Sequence, residues 1–192
     1  MKEQLPLGHH SVLAQFAREY GGPAGGRVVE VGVHQGRTAN HVLDEVPTCR
    51  LWAVDPWAPY DQSDAQHSGR PYGMVTQEDQ EESYGHAIGR LKEHISTGRC
   101  HVLRMPSLQA AVELAGGEKF DVVFIDADHR REPVFADCVA WWPLVRKGGI
   151  LCGHDLGSWD GVAQGIGDFM DHASPGLDLQ VYAFNVWGII KP

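Results

Sequence analysis

Apolar positions along the chain follow two alternating rhythms. Val12, Leu13, Phe16, Ala17 and Tyr20 recur at helical spacing and predict a first helix, ended by Gly21-Gly22-Pro23. "RVVEVGV" (27–33) is a short β-branched run that breaks into a glycine turn, and Ala39, Val42, Leu43 and Val46 form a second helical stripe. "LWAVD" (51–55) predicts the next strand. Tyr84, Ala87, Ile88, Leu91 and Ile95 mark a helix, "HVLRM" (101–105) a strand, and "SLQAAVELAGG" a short helix closed by glycines. "DVVFID" (121–126) predicts a strand. Val134, Phe135, Cys138, Val139, Trp142 and Val145 predict a helix stopped by Lys147-Gly148-Gly149. "ILCGHD" (150–155) is another strand, Val162, Ile166, Phe169 and Met170 another helix, and "LDLQVYAF" and "VWGIIKP" two adjacent strands.

Strands separated by helices imply right-handed βαβ units and a mostly parallel sheet covered on both faces. The closing strand pair requires an antiparallel member. The expectation is an α/β, Rossmann-like, doubly wound seven-stranded sheet in a single domain spanning 1–192. Ligands of such sheets sit outside the carboxyl ends of the strands, near the topological switch point. Glu30, Asp55, Asp126 and Asp155 lie at or near such ends and should converge on one rim. Residues 56–79 lack any period and are rich in Pro, Gly, Ser and Asp, so they read as a long loop. With Trp57, Tyr60 and Tyr72 in it and Tyr84 just beyond, it is either a lid over an acceptor or a surface segment.

Composition narrows the partners. A formal net charge of −9 argues against a general nucleic-acid or anionic-membrane binder, and no window approaches a membrane span or a signal peptide. The four scattered cysteines form no C-x-x-C pair, which favours reduced thiols in a cytoplasmic protein.

The glycine turn decides the ligand class. "VVEVGVHQGRTAN" has the spacing E-x-G-x-x-x-G, through Glu30, Gly32 and Gly36. A dinucleotide fingerprint puts glycine where His34 stands, and no Walker loop is present, so a dehydrogenase is disfavoured. Asp55, ending the second strand, can accept hydrogen bonds from both hydroxyls of a ribose; the alternative is a solvated loop aspartate. A ribose without a pyrophosphate, beside a helix N-terminus able to hold a carboxylate, suggests S-adenosylmethionine (SAM), whose sulfonium suits an acidic rim.

At this point the chain resembles the class I SAM-dependent methyltransferases. Glu30, Gly32 and Gly36 match their first motif, Asp55 their ribose acid, and "RMPS" (104–107), with Met105 and Ser107, the turn that flanks adenine. "FIDADH", "W-x-x-LVRKGGILCGHDL" and "GVAQGIGDF" resemble the small metal-dependent O-methyltransferases related to macrocin and cephamycin tailoring enzymes, methyltransferase domain family 24. The resemblance implies a SAM-dependent O-methyltransferase acting on a hydroxyl of a small metabolite of sugar or phenol type, and favours a homo-oligomer.

Methyl transfer is an in-line displacement, and a hydroxyl is a poor nucleophile until its proton is removed or its pKa lowered. A carboxylate does the first and a divalent ion such as Mg²⁺ the second. Asp126 and Asp155 end strands expected to be adjacent, about 5 Å apart, and could share one ion. In the metal-dependent relatives the position of Asp126 holds the ion, and that of Asp128 acts as general base. Their next strand adds two adjacent acidic or amide ligands. Here that pair is His154-Asp155, and imidazole suits Zn, Fe or Ni better than Mg. His154 is therefore a ligand to a softer metal, a second base or a substrate contact. Three alternatives stay open: Asp126 holding the SAM amino group without metal, Asp128 capping the helix near Arg130, and His129 as base or as a surface residue. A non-catalytic SAM-binding module remains the rival to an enzyme.

Overall fold

The computed structural model describes residues 7–61, 66–67, 70–71, 74–173 and 176–192. Seven strands build one sheet: β1 (Arg27–Val31), β2 (Arg50–Val54), β3 (Cys100–Leu103), β4 (Phe120–Ile125), β5 (Val145–Gly153), β6 (Leu179–Val181) and β7 (Trp187–Ile190). Their order is β6-β7-β5-β4-β1-β2-β3. The pairs from β3 through β5 are parallel, whereas β7 runs antiparallel to both β5 and β6. The expected seven-stranded α/β sheet with a reversed C-terminal strand is what the chain forms.

Strand alternation sorts the core into two layers. Val28, Val122 and Phe124 face α1 (His9–Gly21), α2 (Arg37–Glu45) and α3 (Gln77–Ser96). Val29, Val31, Val123 and Ile125 face α5 (Arg131–Trp141) and α6 (Asp160–His172), with Ala110 and Ala111 of α4 (Ser107–Leu114) in the same layer. Strands buried on both sides explain why these runs are continuously apolar rather than alternating. All four cysteines are free and buried. Among the described residues no helix is long and apolar enough to cross a membrane.

Three boundaries differ from the sequence reading. Pro143 cannot continue α5, so the helix ends at Trp141 and passes through a 3₁₀ turn, Trp142–Leu144, directly into β5. Lys147-Gly148-Gly149 therefore lies inside β5, where pairing with β4 shifts register between Phe120 and Val122. Residues 77–79 are not loop: Thr76 and Asp79 form a reciprocal capping box that starts α3 at Gln77. Short two-residue ladders, Tyr60–Asp61 with Met74–Val75 and Gln66–His67 with Arg70–Pro71, cross the preceding segment. Residues 62–65, 68–69 and 72–73 of the expected 56–79 lid, Tyr72 among them, lie outside the described residues.

The strand order reverses between β1 and β4. The loops leaving their carboxyl ends, with those of β2 and β5 on either side, form the rim where the polar residues gather.

Candidate active site

The glycine turn after β1 is locked from several sides. Gly32 has φ +91°, and a Cβ there would fall 2.0 Å from the Asp126 carbonyl oxygen. Only glycine lets the β1 and β4 loops touch at this point. Asp55 accepts from the backbone N–H groups of Val33 and His34 through Oδ2, both at 2.9 Å, and from Trp57 N–H through Oδ1 at 2.7 Å. The Trp57 indole donates to the His34 carbonyl at 2.8 Å, and Arg90 donates to that of Gln35 at 2.9 Å. Asp55 thus clamps the turn and keeps acceptor capacity chiefly on Oδ1. Gly36 (φ +73°) opens α2, and a Cβ there would lie 3.1 Å from Ala87 Cα of α3, so its smallness serves helix packing.

Glu30 sits one residue inside β1, 2% exposed, below the rim rather than on it. Burial, then the charges of Asp126 and Asp55, push its carboxyl well above the ordinary range despite a hydrogen bond from Ala39 N–H. Its Oε2 has no hydrogen-bond partner among the described residues. Met105 is half-buried against the second core layer. Ser107 turns away from the rim: its hydroxyl donates to Asp137 at 2.5 Å and accepts from the Trp141 indole at 2.8 Å.

Beyond β4 and β5, the sequence-predicted carboxylates and imidazoles meet. One ligand atom each from Asp126, His154 and Asp155 lies within 4.8 Å of the others. His154 Nδ1 is 3.7 Å from Asp126 Oδ1 and 3.4 Å from Asp155 Oδ1. Asp155 reaches the cluster from a left-handed backbone, φ +63°, a strained conformation that aspartate tolerates and that marks functional turns. His129 closes the group, its Nε2 3.0 Å from Asp155 Oδ2 and 3.9 Å from Asp126 Oδ1, with its ring stacked on Trp159. Burial alone would lower His154, but the nearby Asp126 and Asp155 carboxylates and the Phe184 backbone together raise it. Burial works to raise Asp155, yet the hydrogen bond from His129 and the charges of both histidines hold it below the usual range. A recess of about 220 Å³, including its open mouth, adjoins the cluster and is walled by Ile125, Ala127, Val134, Val162 and Trp187.

Asp128 lines the same recess, but its carboxylate is engaged by Arg130. Its Oδ1 accepts from Arg130 N–H at 2.9 Å, and both its oxygens accept from the Arg130 guanidinium at 2.6–3.1 Å. The carboxylate ties down the start of α5.

The stretch 29–156, two thirds of the chain, matches the model of methyltransferase domain family 24. The chain belongs to that family. No curated protein matches it in sequence. Among solved structures it is similar to an O-methyltransferase from Bacillus cereus in complex with SAH, with TM-score 0.64 and 16% identity, covering 100% of this chain and 84% of that one. TomG of Streptomyces achromogenes, an O-methyltransferase of tomaymycin synthesis in complex with SAM, gives TM-score 0.61 and 17% identity over 98% of this chain and 82% of that one. The O-methyltransferase NovP gives 0.68 and 14%, over 95% and 79%. At such identities the likeness establishes the fold alone.

Two contributors to this methyltransferase rim went unnoticed in the sequence, and both lie outside the family match. His9, from the first turn of α1, packs its ring 4.2 Å from that of His154, centroid to centroid. The turn joining β6 to β7 leans on the same loop: Asn185 accepts from Leu156 N–H at 3.2 Å through its carbonyl and donates to Ser158 Oγ at 2.9 Å.

Proposed function

We propose that the chain is a SAM-dependent O-methyltransferase that moves a methyl group to a hydroxyl of a small metabolite, sugar or phenol in type, with help from a divalent ion. The observation that carries this reading is the convergence of Asp126, His154 and Asp155 within 4.8 Å at the rim, next to the glycine turn. Two carboxylates and an imidazole on neighbouring loops are a fitting donor set for one divalent ion, Mg²⁺ by the carboxylates and a softer ion by the imidazole. When bound, such an ion lowers the pKa of a coordinated hydroxyl. SAM supplies the electrophilic methyl group, and the acidic rim suits its positive charge.

The chain's own residues supply position and a proton acceptor. Gly32, Gly36 and Asp55 shape the cofactor turn, with Met105 and the backbone of Ser107 at its adenine side and Glu30 beneath it. The methyl group forms its new bond to the acceptor oxygen, the hydroxyl proton leaves, and S-adenosylhomocysteine remains. We place that proton on the His129–Asp155 pair, whose Nε2 and Oδ2 lie 3.0 Å apart, rather than on Asp128, both of whose oxygens are taken up by Arg130. His129→Gln is then expected to cut turnover about 10²–10⁴-fold with SAM affinity nearly intact. Asp128→Asn is expected to spare most turnover and, by weakening its charge-assisted bonds to Arg130, to remove about 1 kcal/mol of stability at the α5 start. Release of S-adenosylhomocysteine over a panel of phenols and sugar hydroxyls, with calorimetric SAM binding, separates the two; the opposite ranking would restore Asp128 as the base. Free, buried thiols fit a cytoplasmic location.

The decisive experiment is a calorimetric titration of SAM into metal-stripped protein, repeated with Mg²⁺, Mn²⁺ and Zn²⁺ and with Asp126→Ala. The expected result is micromolar SAM binding together with metal uptake by wild type that Asp126→Ala loses. SAM binding without metal uptake would leave a metal-independent enzyme, with Asp126 as a cofactor contact. No SAM binding would sink the proposal.

A further inference from the structure

The family match begins at residue 29, yet one imidazole of the rim comes from before it. His9 stands on the first turn of α1, on the same helical face as Val12, Leu13 and Phe16, and that face carries it over the sheet to the carboxyl-end rim. Three contacts fix it there. Its Nε2 is hydrogen-bonded to Thr38 Oγ1 at 3.0 Å, its ring lies nearly parallel to Phe124 of β4 at 6.2 Å, and it meets the His154 ring at 4.2 Å. Thr38 is 8% exposed and belongs to α2, the helix that leaves the glycine turn.

His154 therefore has little freedom. One edge faces Asp126 and Asp155, the Phe184 backbone lies close to the ring, and His9 packs against it. A histidine that binds a metal needs its tautomer and ring angle set by such outer partners. Thr38 keeps His9 from turning, and His9 keeps His154 from turning. We infer that His9 is the positioning residue that holds His154 as an imidazole ligand, so that α1, outside the family match, biases this site toward ions that accept nitrogen donors. The inference rests on the metal-assisted reading above and deepens it: it concerns which ion the site prefers and which residue sets the preference.

Hydrogen-bond deletion from either side provides the test. His9→Phe keeps a ring between Phe124 and His154 but removes the bond to Thr38. Thr38→Val removes the same bond and leaves the imidazole in place. Metal-stripped full-length protein is titrated with Co²⁺, followed by its visible absorption, and with Zn²⁺ and Mg²⁺ by calorimetry, alongside thermal unfolding of each variant.

Both variants are expected to bind Co²⁺ and Zn²⁺ about 10–100-fold more weakly than wild type and to show an altered Co²⁺ absorption envelope. Mg²⁺, held by the carboxylates, is expected to lose far less, and the unfolding midpoints to stay close to wild type. A packing role alone would move the midpoints and leave both the ion ranking and the spectrum alone. Unchanged Co²⁺ affinity and spectrum in both variants would overturn the role of His9 while the metal-assisted reading stood. Failure of wild type to take up Co²⁺, Zn²⁺ or Mg²⁺ would overturn that reading and this inference with it.

Discussion

Gly32→Ala is expected to lower the unfolding free energy by about 2–6 kcal/mol and to abolish SAM binding. Two penalties combine. The backbone at Gly32 has φ +91°, a region closed to residues with a Cβ. The added methyl would also meet the Asp126 carbonyl oxygen at 2.0 Å and Ala127 Cα at 2.8 Å, atoms of backbone that cannot swing aside. Relief requires the β1 and β4 loops to separate, which pulls Asp126 away from His154 and frees Val33 and His34 from Asp55. The same chemical change in α3 should act oppositely. A Cβ on Gly85 or Gly89 meets nothing within 4 Å, so alanine there should add up to about 1 kcal/mol by restricting the unfolded chain. Urea denaturation of the three variants, with SAM titration of those that fold, checks both directions. Near-wild-type stability for Gly32→Ala would mean that the two loops are not held in contact.

Much of this architecture was legible because it obeys local rules. Continuous apolar runs such as "DVVFID" mark strands buried on both faces, and the carboxylates at their ends could only lie on the rim once the strands were parallel. Adjacent β4 and β5 then placed Asp126 beside His154 and Asp155, as the pairing of Ile125 with Gly153 shows. What escaped notice depends on contacts between distant segments or on side-chain direction. "ADHRR" left Asp128 open between tying down the helix near Arg130 and acting on a substrate, because side-chain direction is not set by local spacing. Nothing in "RMPS" says that Ser107 bonds to Asp137 and Trp141 of α5. Some misses did leave a signal. The spacing of Val12, Leu13 and Phe16, continued back one turn, puts His9 on the buried face of α1, but a histidine does not count in an apolar pattern. Thr76 followed three residues later by Asp79 announces the start of α3. Pro143 announces the end of α5.

Asp137 gives the stability of the fold a pH dependence that substitution should expose. Its carboxyl is 5% exposed between α4 and α5; burial, with a smaller push from the Asp128 charge, raises it to about 6 although Ser107 donates to it. The native state therefore holds this proton more tightly than the unfolded chain, where an aspartate titrates near ~3.9. The stability contributed is complete below the unfolded value and is lost as pH rises through the folded one, in the window between about 4 and about 6. The gap is worth about 3 kcal/mol. Asp137→Asn keeps the oxygen that accepts from Ser107 but cannot ionise. Relative to wild type it should be nearly neutral at pH 4 and more stable by up to about 3 kcal/mol at pH 7.5, with the difference growing across that window. The check is the free-energy difference between the two proteins from denaturant curves taken every half pH unit, since other titrating groups cancel in the difference. A flat difference would show that Asp137 ionises inside the fold as easily as in water. The Trp141–Ser107–Asp137 chain would then be open to solvent, and α4 would be free to move at the adenine side of the proposed cofactor site.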